Sequence, residues 1–216
     1  MQPKKFLPSF SRQRSRTLKA TKKIFLKTEY IPSLKVDLSD TGELLNAKKI
    51  VFEIGSGNGE TASHFASLNP DFLYIACEVF IDGVIQMASK VYEKKLENIR
   101  FFTEDARLLL EIFENKLDKI FLFFPDPWPK KKHHKRRILT QEFLNLAFKA
   151  LKNQGELFVA TDHELYKEYV LEVGNNQKLF TFSEILKPDW WTITKYQNKA
   201  ILENRTSNFY QFTKIS

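Results

Sequence analysis

Three glycines at alternate positions follow the first apolar run of this chain. The segment reads EIGSGNG over residues 53–59, and the apolar residues before it predict a buried strand over residues 50–55. Gly55, Gly57 and Gly59 can adopt positive φ and carry no Cβ, so a ligand can approach the backbone closely. The G-x-G-x-G spacing differs from the G-x-G-x-x-G of a dinucleotide pyrophosphate site. It predicts a loop that binds a small ligand, the alternative being a tight turn between strand and helix.

Acidic residues surround this loop in the expected fold. Glu78 ends the second apolar run, 21 residues after Gly57, where a carboxylate can accept from both ribose hydroxyls of an adenosine-type ligand. Glu53 and Asp105 would repel a pyrophosphate, but they suit a ligand with an ammonium, a sulfonium and a donor-rich adenine. Glu53 can alternatively accept from N–H groups of its own loop, and Asp105 can alternatively cap a helix. The set favours S-adenosylmethionine over a nicotinamide cofactor.

A proline-rich corner with an acid and a tryptophan follows the fourth apolar run. Pro125, Pro127 and Pro129 fix φ at three positions and restrict the residues before them. Asp126 is therefore predicted to lie on a stiff backbone at the mouth of the ligand cleft. Trp128 can either stack on a base or anchor the corner to the core.

Positive charge is concentrated in two segments of the chain. Residues 130–137 comprise six Lys or Arg and two His, and such a run repels itself unless it has a counter-anion such as a phosphate. Residues 1–28 contain nine Lys or Arg and no acid, although the other residues sum to −1. This segregation predicts a polyanionic partner, nucleic acid before membrane. The alternatives for residues 1–28 are a solubilising tail and an organellar transit peptide.

Short apolar runs alternate with amphipathic segments from Lys49 onward. Strands are predicted over residues 50–55, 72–80, 98–105, 119–124, 156–161, 178–184 and 207–213. Helices are predicted over residues 59–68, 81–96, 108–113, 139–152 and 163–173. Apolar strands that alternate with helices are typical of a parallel sheet covered on both faces, which binds ligands beyond the carboxyl ends of its strands. A glycine and four acids fall at or just past those ends: Gly55, Glu78, Asp105, Asp126 and Asp162.

Composition restricts the class of protein further. The 216 residues, 43% of them hydrophobic, can bury one core, and no apolar run approaches the roughly 18 residues of a membrane span. The single cysteine, Cys77, excludes an internal disulfide and favours the cytoplasm. Four histidines without paired ligand spacing predict no zinc site. We expect a flexible basic arm over residues 1–28 and one domain over residues 29–216.

The run PDPWPKKKHHKRR resembles the signature of the bacterial tRNA (guanine-N7-)-methyltransferases of the TrmB type. The resemblance extends through EIGSGNGE, the strand end at Glu78, EDAR, TDHELY at 161–166 and TKYQ at 194–197. It therefore covers about residues 49–200. The basic SRQRSRT at 11–17 is similar to the arm that this family places before its catalytic domain.

The resemblance implies a class I methyltransferase with a Rossmann-like, doubly wound, mostly parallel sheet and an antiparallel C-terminal strand. Its reaction would be S-adenosylmethionine-dependent methylation of a variable-loop guanine in tRNA. Cofactor contacts would come from Glu53, Gly55, Gly57, Gly59, Glu78, Asp105 and Asp126, the last also being the active-site residue. Substrate contacts would come from Lys130, Asp162, Thr194, Lys195, Tyr196 and Gln197, and RNA contacts from Lys132, His133, His134, Lys135, Arg136 and Arg137. At Gln197 the chain departs from the family, which usually has Glu there.

This reaction suits the residues present. Guanine N7 has a lone pair and no proton, so it can attack a sulfonium methyl group directly and no general base is required. Proximity and alignment can supply roughly 7–11 kcal/mol in favourable cases. We expect Asp126 or Asp162 to accept from guanine N1–H and the exocyclic amine, which would orient N7.

Other functions are open at this point. An NAD-type oxidoreductase is supported by the glycine loop and Glu78, but opposed by the glycine spacing and the extra acids. A non-catalytic RNA-binding protein on a methyltransferase fold is opposed by the intact loop and Asp126. A methyltransferase of another RNA or of protein glutamine is a third alternative, although the glutamine enzymes usually carry N-P-P-Y where this chain has P-D-P-W. We expect tRNA as the partner, no metal and no membrane, and a monomer or homodimer in the cytoplasm.

Overall fold

Seven strands form one sheet within residues 34–215, which are the residues that the computed structural model describes. The strands are β1 Ile50–Ile54, β2 Leu73–Cys77, β3 Ile99–Phe102, β4 Leu117–Phe123, β5 Leu151–Thr161, β6 Phe180–Ile185 and β7 Asn208–Lys214. Their order in space is β3-β2-β1-β4-β5-β7-β6. Strands β1 to β5 are parallel, whereas β7 is antiparallel to both β5 and β6. The predicted doubly wound sheet with an antiparallel C-terminal strand is confirmed.

Helices connect most of these strands. They are α1 Gly42–Asn46, α2 Glu60–Leu68, α3 Ile81–Glu93, α4 Ala106–Leu110, α5 Gln141–Ala150, α6 Glu164–Asn176 and α7 Lys195–Leu202, together with a 3₁₀ helix over Lys131–Arg136. The predicted helix over residues 139–152 ends earlier, because Leu151 already pairs with Leu117 as the first residue of β5. No helix in the described part of the chain combines the length and apolar composition needed to cross a membrane. The predicted arm, residues 1–28, lies outside the described residues.

Both faces of the sheet are covered by apolar layers. Successive side chains of a strand point to opposite faces, so Val51 enters one layer and its neighbour Phe52 enters the other. Phe121 and Leu122 alternate in the same way on β4. Residues of α2 and α3 cover the face of Val51, and residues of α4, α5 and α6 cover the face of Phe52. Burial on both sides explains why β1 and β4 read as continuous apolar runs.

Two adjacent tryptophans close the layer on the α2 and α3 side. Trp190 stacks on Phe121 with ring centroids 4.8 Å apart and planes at 12°. Trp191 meets the edge of Phe123, with ring centroids at 4.6 Å and an interplanar angle of 81°. These contacts fix residues 189–191 against β4, and they bring the chain that follows to the carboxyl ends of the strands.

Candidate active site

A cleft of about 620 Å³ opens at the carboxyl ends of the parallel strands. It lies where the strand order of the sheet reverses, between β1 with its neighbour β2 on one side and β4 on the other. Strands β1, β2 and β4 supply part of its wall, as do the segment after β3, the 3₁₀ helix and the residue before α7. The lining includes Glu53, Gly55, Gly57, Glu78, Asp105, Asp126, Lys135, Arg136 and Thr194. All nine were predicted as cofactor, substrate or RNA contacts, and Glu53, Glu78, Asp105 and Asp126 converge there as expected.

The glycine loop has a ligand-facing end and a packed end. Gly55, Gly57 and Gly59 have φ of 74°, 55° and 71°, which favour glycine. A Cβ added at Gly55 would meet nothing within 4 Å, so open space lies above it. A Cβ at Gly59 would lie 2.4 Å from Met87 Cγ, so this glycine lets the loop pack on α3. The structure thus places Gly59 beneath the loop, away from the cleft lining.

Sequence reasoning missed a fourth glycine, in the first turn of α3. A Cβ on Gly83 would lie 2.6 Å from the carbonyl oxygen of Gly57. Only glycine allows the helix to approach the loop so closely. The available signal was a glycine inside an amphipathic helix, where it is unfavourable without a packing reason.

The Glu78 carboxylate organises the loop as well as lining the cleft. Its Oε2 accepts from Gly57 N at 2.8 Å, and its Oε1 accepts from Phe80 N at 2.8 Å. Lys90 adds a further tie by donating from Nζ to the carbonyl oxygen of Asn58 at 2.7 Å. Burial raises the pKa of Glu78, the backbone N–H groups lower it, and the nearby Asp126 raises it.

Glu53 lies below the loop and is only 3% exposed. Its Oε2 accepts from the Tyr74 hydroxyl at 3.0 Å. Burial raises the pKa of Glu53 to about 8, while the Tyr74 hydrogen bond lowers it and Glu78 raises it. The group is therefore largely protonated at pH 7 in this structure. Tyr74 was not predicted as a site residue, because its contact with Glu53 follows only from the pairing of β1 with β2.

Asp105 caps α4 and lines the cleft at the same time. Its Oδ1 accepts from Arg107 N at 3.0 Å, and the two carboxylate oxygens also bind the Arg107 guanidinium at 2.9 and 2.6 Å. The helix-capping alternative is therefore what the structure displays. Arg107, which was not predicted as a site residue, also lines the cleft.

The proline corner holds an exposed acid between two strained positions. Phe124 and Trp128 have φ of 47° and 43°, a region that non-glycine residues rarely occupy. Phe124 N donates to the carbonyl oxygen of Ala160 at 2.8 Å, which ties the corner to β5. Asp126 lies between them in the cleft wall, and partial burial raises its pKa. Backbone strain of this kind is commonly found at functional sites.

Trp128 packs on the basic run. The Arg136 guanidinium carbon lies 4.9 Å from its ring centroid, and His133 approaches edge-on at 5.6 Å. The ring therefore joins the corner to the 3₁₀ helix and also lines the cleft, and the two roles predicted for it, stacking on a base and anchoring to the core, stay predictions. Burial lowers the pKa of His133, as do Arg136 and the neighbouring lysines.

The rest of the basic run is divided between solvent and interior. Five side chains are exposed and form a cationic surface next to the cleft, which we call the basic surface: Lys130, Lys131, Lys132, His134 and Lys135. Arg137 is buried, and its Nε donates to the carbonyl oxygen of Pro127 at 3.0 Å. Arg137 also lines the cleft, and the RNA contact predicted for it stays a prediction.

The predicted substrate residues do not all reach the cleft. Thr194 lines it, and its Oγ1 accepts from Gln197 N at 3.2 Å. Gln197 is buried, and its Oε1 accepts from Trp191 Nε1 at 2.6 Å, so the amide faces the tryptophan anchor. Asp162, at the end of β5, forms an ion pair with Arg205 and is not among the described residues that line the cleft. Lys195 and Tyr196 were also predicted as substrate contacts, but the structure does not describe their side chains.

Comparison with known proteins agrees with this geometry. A family model described as "Putative methyltransferase" matches residues 47–209. A tRNA (guanine-N(7)-)-methyltransferase of Wolbachia pipientis wMel is 36% identical over 216 residues, covering 98% of this chain and 94% of that protein. One from Jannaschia sp. strain CCS1 is 35% identical over 184 residues, covering 82% and 77%. A bifunctional methyltransferase of Rickettsia typhi is 40% identical over 167 residues, covering 75% of this chain and 32% of that protein.

Solved structures match the fold at lower identity. An antibiotic-related methyltransferase has a TM-score of 0.59 at 16% identity, covering 82% of this chain and 94% of that one. A 16S rRNA (adenine(1408)-N(1))-methyltransferase from Catenulisporales acidiphilia has a TM-score of 0.58 at 12% identity, covering 84% and 93%. Sheet order, glycine loop and strand-end acids thus define a class I methyltransferase. Within that class, the chain belongs to the family of bacterial tRNA (guanine-N7-)-methyltransferases.

Proposed function

We propose that this protein methylates guanine N7 in the variable loop of tRNA, with S-adenosylmethionine as methyl donor. One observation carries the proposal: the corner that holds Asp126 joins an acid-lined cleft to the exposed basic surface. A small cationic ligand and a polyanion can therefore be bound side by side. Relatives named for this reaction, 35–36% identical over most of the chain, support the same substrate.

The cleft residues fit S-adenosylmethionine. A cleft of about 620 Å³ is within the range that holds a ligand of this size. Open space above Gly55 admits a ligand to the loop backbone, and the Glu78 carboxylate, together with Glu53 when it is ionised, favours a ligand with ammonium and sulfonium groups. S-adenosylmethionine, when bound, supplies a sulfonium methyl group that a nitrogen lone pair can accept without a general base. The G-x-G-x-G spacing of the loop, which differs from that of a dinucleotide pyrophosphate site, disfavours the nicotinamide alternative.

Asp126 is the carboxylate that we assign to the base. It is exposed in the cleft wall, whereas Asp162 is already paired with Arg205. An aspartate at the mouth can accept from guanine N1–H and the exocyclic amine, which fixes the direction of N7. Alignment of this kind can contribute roughly 7–11 kcal/mol.

The basic surface is the proposed contact for tRNA phosphates. Its charges lie next to the mouth of the cleft, so they can hold the backbone on both sides of an extruded nucleotide. Extrusion costs a few kcal/mol, which these charge contacts can offset. A tRNA substrate and a buried free cysteine, Cys77, fit a cytoplasmic location.

Methyl transfer to undermodified tRNA is the direct test. Incubation with labelled S-adenosylmethionine should label one guanosine in the variable loop, which nuclease mapping can locate. Label at any other nucleotide, or cofactor binding without transfer, would contradict the proposal.

The assignment of Asp126 is tested by single-turnover methylation. Asp126→Asn should lower the rate by on the order of 10-fold or more. The amide has one acceptor oxygen where the carboxylate has two, so it cannot accept hydrogen bonds from both guanine N1–H and the exocyclic amine. Asp162→Asn is the matched control, and we expect a smaller effect because its partner is Arg205. Equal rates for Asp126→Asn and the wild type would refute the role of Asp126.

A further inference from the structure

Arg137 ends the basic run but does not share its exposure. It is 6% exposed, whereas Lys131 and Lys132 in the same run face solvent. Its guanidinium carbon lies 4.4 Å from the ring centroid of Tyr169 and 5.7 Å from that of Tyr166. A guanidinium held against aromatic rings loses little further entropy when it makes a directional hydrogen bond.

That hydrogen bond reaches the proline corner. Arg137 Nε donates at 3.0 Å to the carbonyl oxygen of Pro127, the residue directly after Asp126. Residues 125–129 form no regular secondary structure, and three of the five are prolines, which lack an N–H. Few backbone hydrogen bonds therefore stabilise the conformation of the corner. The peptide that Arg137 binds also leads into Trp128, whose positive φ needs support from its surroundings.

The rings beneath Arg137 are themselves fixed. Tyr166 is fully buried on α6, and the Tyr169 hydroxyl donates to the carbonyl oxygen of Leu139 at 2.6 Å. Arg137 thus connects the corner to α6, which covers the face of the sheet opposite α2 and α3.

We propose that Arg137 is a positioning residue for methyl transfer. It holds the corner against α6 and thereby keeps Asp126 at the mouth of the cleft, and it does not bind RNA phosphate. The inference rests on the proposed function, because Asp126 is the carboxylate assigned there to the base. Under this proposal, the exposed residues of the basic run bind RNA, whereas its last residue, Arg137, positions the corner.

Salt dependence separates positioning from phosphate binding. Arg137→Lys keeps the charge but loses the planar group that stacks on Tyr169. We expect its single-turnover rate at saturating tRNA to fall on the order of 10-fold, while the slope of log affinity for tRNA against log salt equals that of the wild type. Lys132→Ala is the matched control from the basic surface, and it should reduce that slope by about 0.7–0.9, the value for one lost phosphate contact. A wild-type rate for Arg137→Lys, or a reduced slope like that of Lys132→Ala, would overturn the inference.

Hydrogen exchange provides a readout that does not depend on activity. Amides in residues 124–130 should exchange faster in Arg137→Lys than in the wild type, whereas peptides from β1 and β2 should not change. Equal exchange over residues 124–130 would overturn the inference. If the wild type itself transfers no methyl group to tRNA, the proposed function fails, and hydrogen exchange still decides whether Arg137 holds the corner.

A second pair of variants applies if Arg137→Lys does not fold. Tyr169→Leu removes the ring under the guanidinium, whereas Tyr169→Phe keeps the ring and removes only the hydroxyl bond to Leu139. Tyr169→Leu should show faster hydrogen exchange over residues 124–130 than Tyr169→Phe. It should also lose more of the methylation rate. Equal values for the two variants would contradict the proposal.

Discussion

Glu53 combines deep burial with a position beside the predicted cofactor. Removal from water raises its pKa to about 8, and the Tyr74 hydroxyl and Glu78 modify that value in opposite directions. A carboxyl of this kind holds a proton at pH 7 until a cation is placed near it. The unusual pKa is therefore linked to ligand charge as well as to folding.

We predict that S-adenosylmethionine binds more tightly as the pH rises toward 8, because its sulfonium favours ionised Glu53 and binding releases the proton. Calorimetry at pH 7 in buffers of different ionisation enthalpy measures that release. S-adenosylhomocysteine, which lacks the sulfonium charge, should release fewer protons. Glu53→Gln is the control, and its affinity for S-adenosylmethionine should not depend on pH over this range. If proton release persisted in this variant, Glu53 would not be the group that loses the proton.

Glu53 should also affect stability. Its ordinary pKa is 4.5, so between that value and about 8 the folded state binds more protons than the unfolded state. The contribution of Glu53 to the free energy of unfolding therefore falls as the pH rises through this window. Chemical denaturation at pH 5 and pH 8 measures the free energy of unfolding of the wild type and of Glu53→Gln. If the difference between the two proteins were the same at both pH values, the prediction would be wrong.

Gly55 and Gly59 should respond differently to the same substitution. Both have positive φ, but a Cβ at Gly59 would overlap Met87, whereas one at Gly55 meets open space. Gly59→Ala should lower the free energy of unfolding by about 2–4 kcal/mol through strain and overpacking. Gly55→Ala should cost about 1 kcal/mol of stability but weaken cofactor binding more, because its methyl group enters the cleft. Chemical denaturation and cofactor titration measure both effects, and equal stability losses would contradict this difference.

The elements show how a helix without an apolar stripe is positioned. α7 buries Gln197 and Ala200 while exposing Ile201 and Leu202, so its pattern did not predict a helix. Its place is set instead by Trp191, which packs on β4 and donates to Gln197. All seven predicted strands are present, because burial on one or both faces imposes apolar runs. The 3₁₀ helix and α1 were missed for the same reason as α7.

We predict that Gln197→Leu weakens the docking of residues 194–197. The buried Trp191 N–H would lose its acceptor at a cost of about 1–3 kcal/mol, and KM for tRNA should rise by several fold with little change in cofactor affinity. Gln197→Glu keeps an acceptor for Trp191 and restores the usual residue of the family, so it should retain more activity. Steady-state kinetics with both substrates tests this, and a wild-type KM for Gln197→Leu would contradict it.

At the scale of the whole molecule, charge is separated by sign. Acids gather in the cleft, the basic surface flanks it, and all of the net positive charge comes from residues 1–28. A tRNA is long enough to meet both basic segments, so each should contribute to affinity through the phosphates.

We predict that deletion of residues 1–20 weakens tRNA binding and reduces the salt dependence by about 0.7–0.9 per lost phosphate contact. Cofactor affinity should not change, because the described residues that line the cleft all lie at residue 53 or beyond. Binding isotherms between low and physiological salt measure the slope, and an unchanged slope would exclude the arm as an RNA contact.

The sequence by itself determined the sheet, the glycine loop, the strand-end acids and the proline corner. These features depend on local chemistry: apolar periodicity, the freedom of glycine, the rigidity of proline and the place of acids after strands. Such properties can be predicted from short segments of the sequence, and the family resemblance rests on the same segments.

Only the tertiary structure decided which side chains are available. Asp162 is paired with Arg205, 43 residues away, and Arg137 packs on Tyr166 and Tyr169 of α6 although it ends a run that reads as one charged surface. Gln197 faces Trp191, and Gly83 admits α3 to the loop. Burial and pairing depend on neighbours that are distant in the chain, so residue type and spacing predicted where these groups lie along the fold but not what they contact.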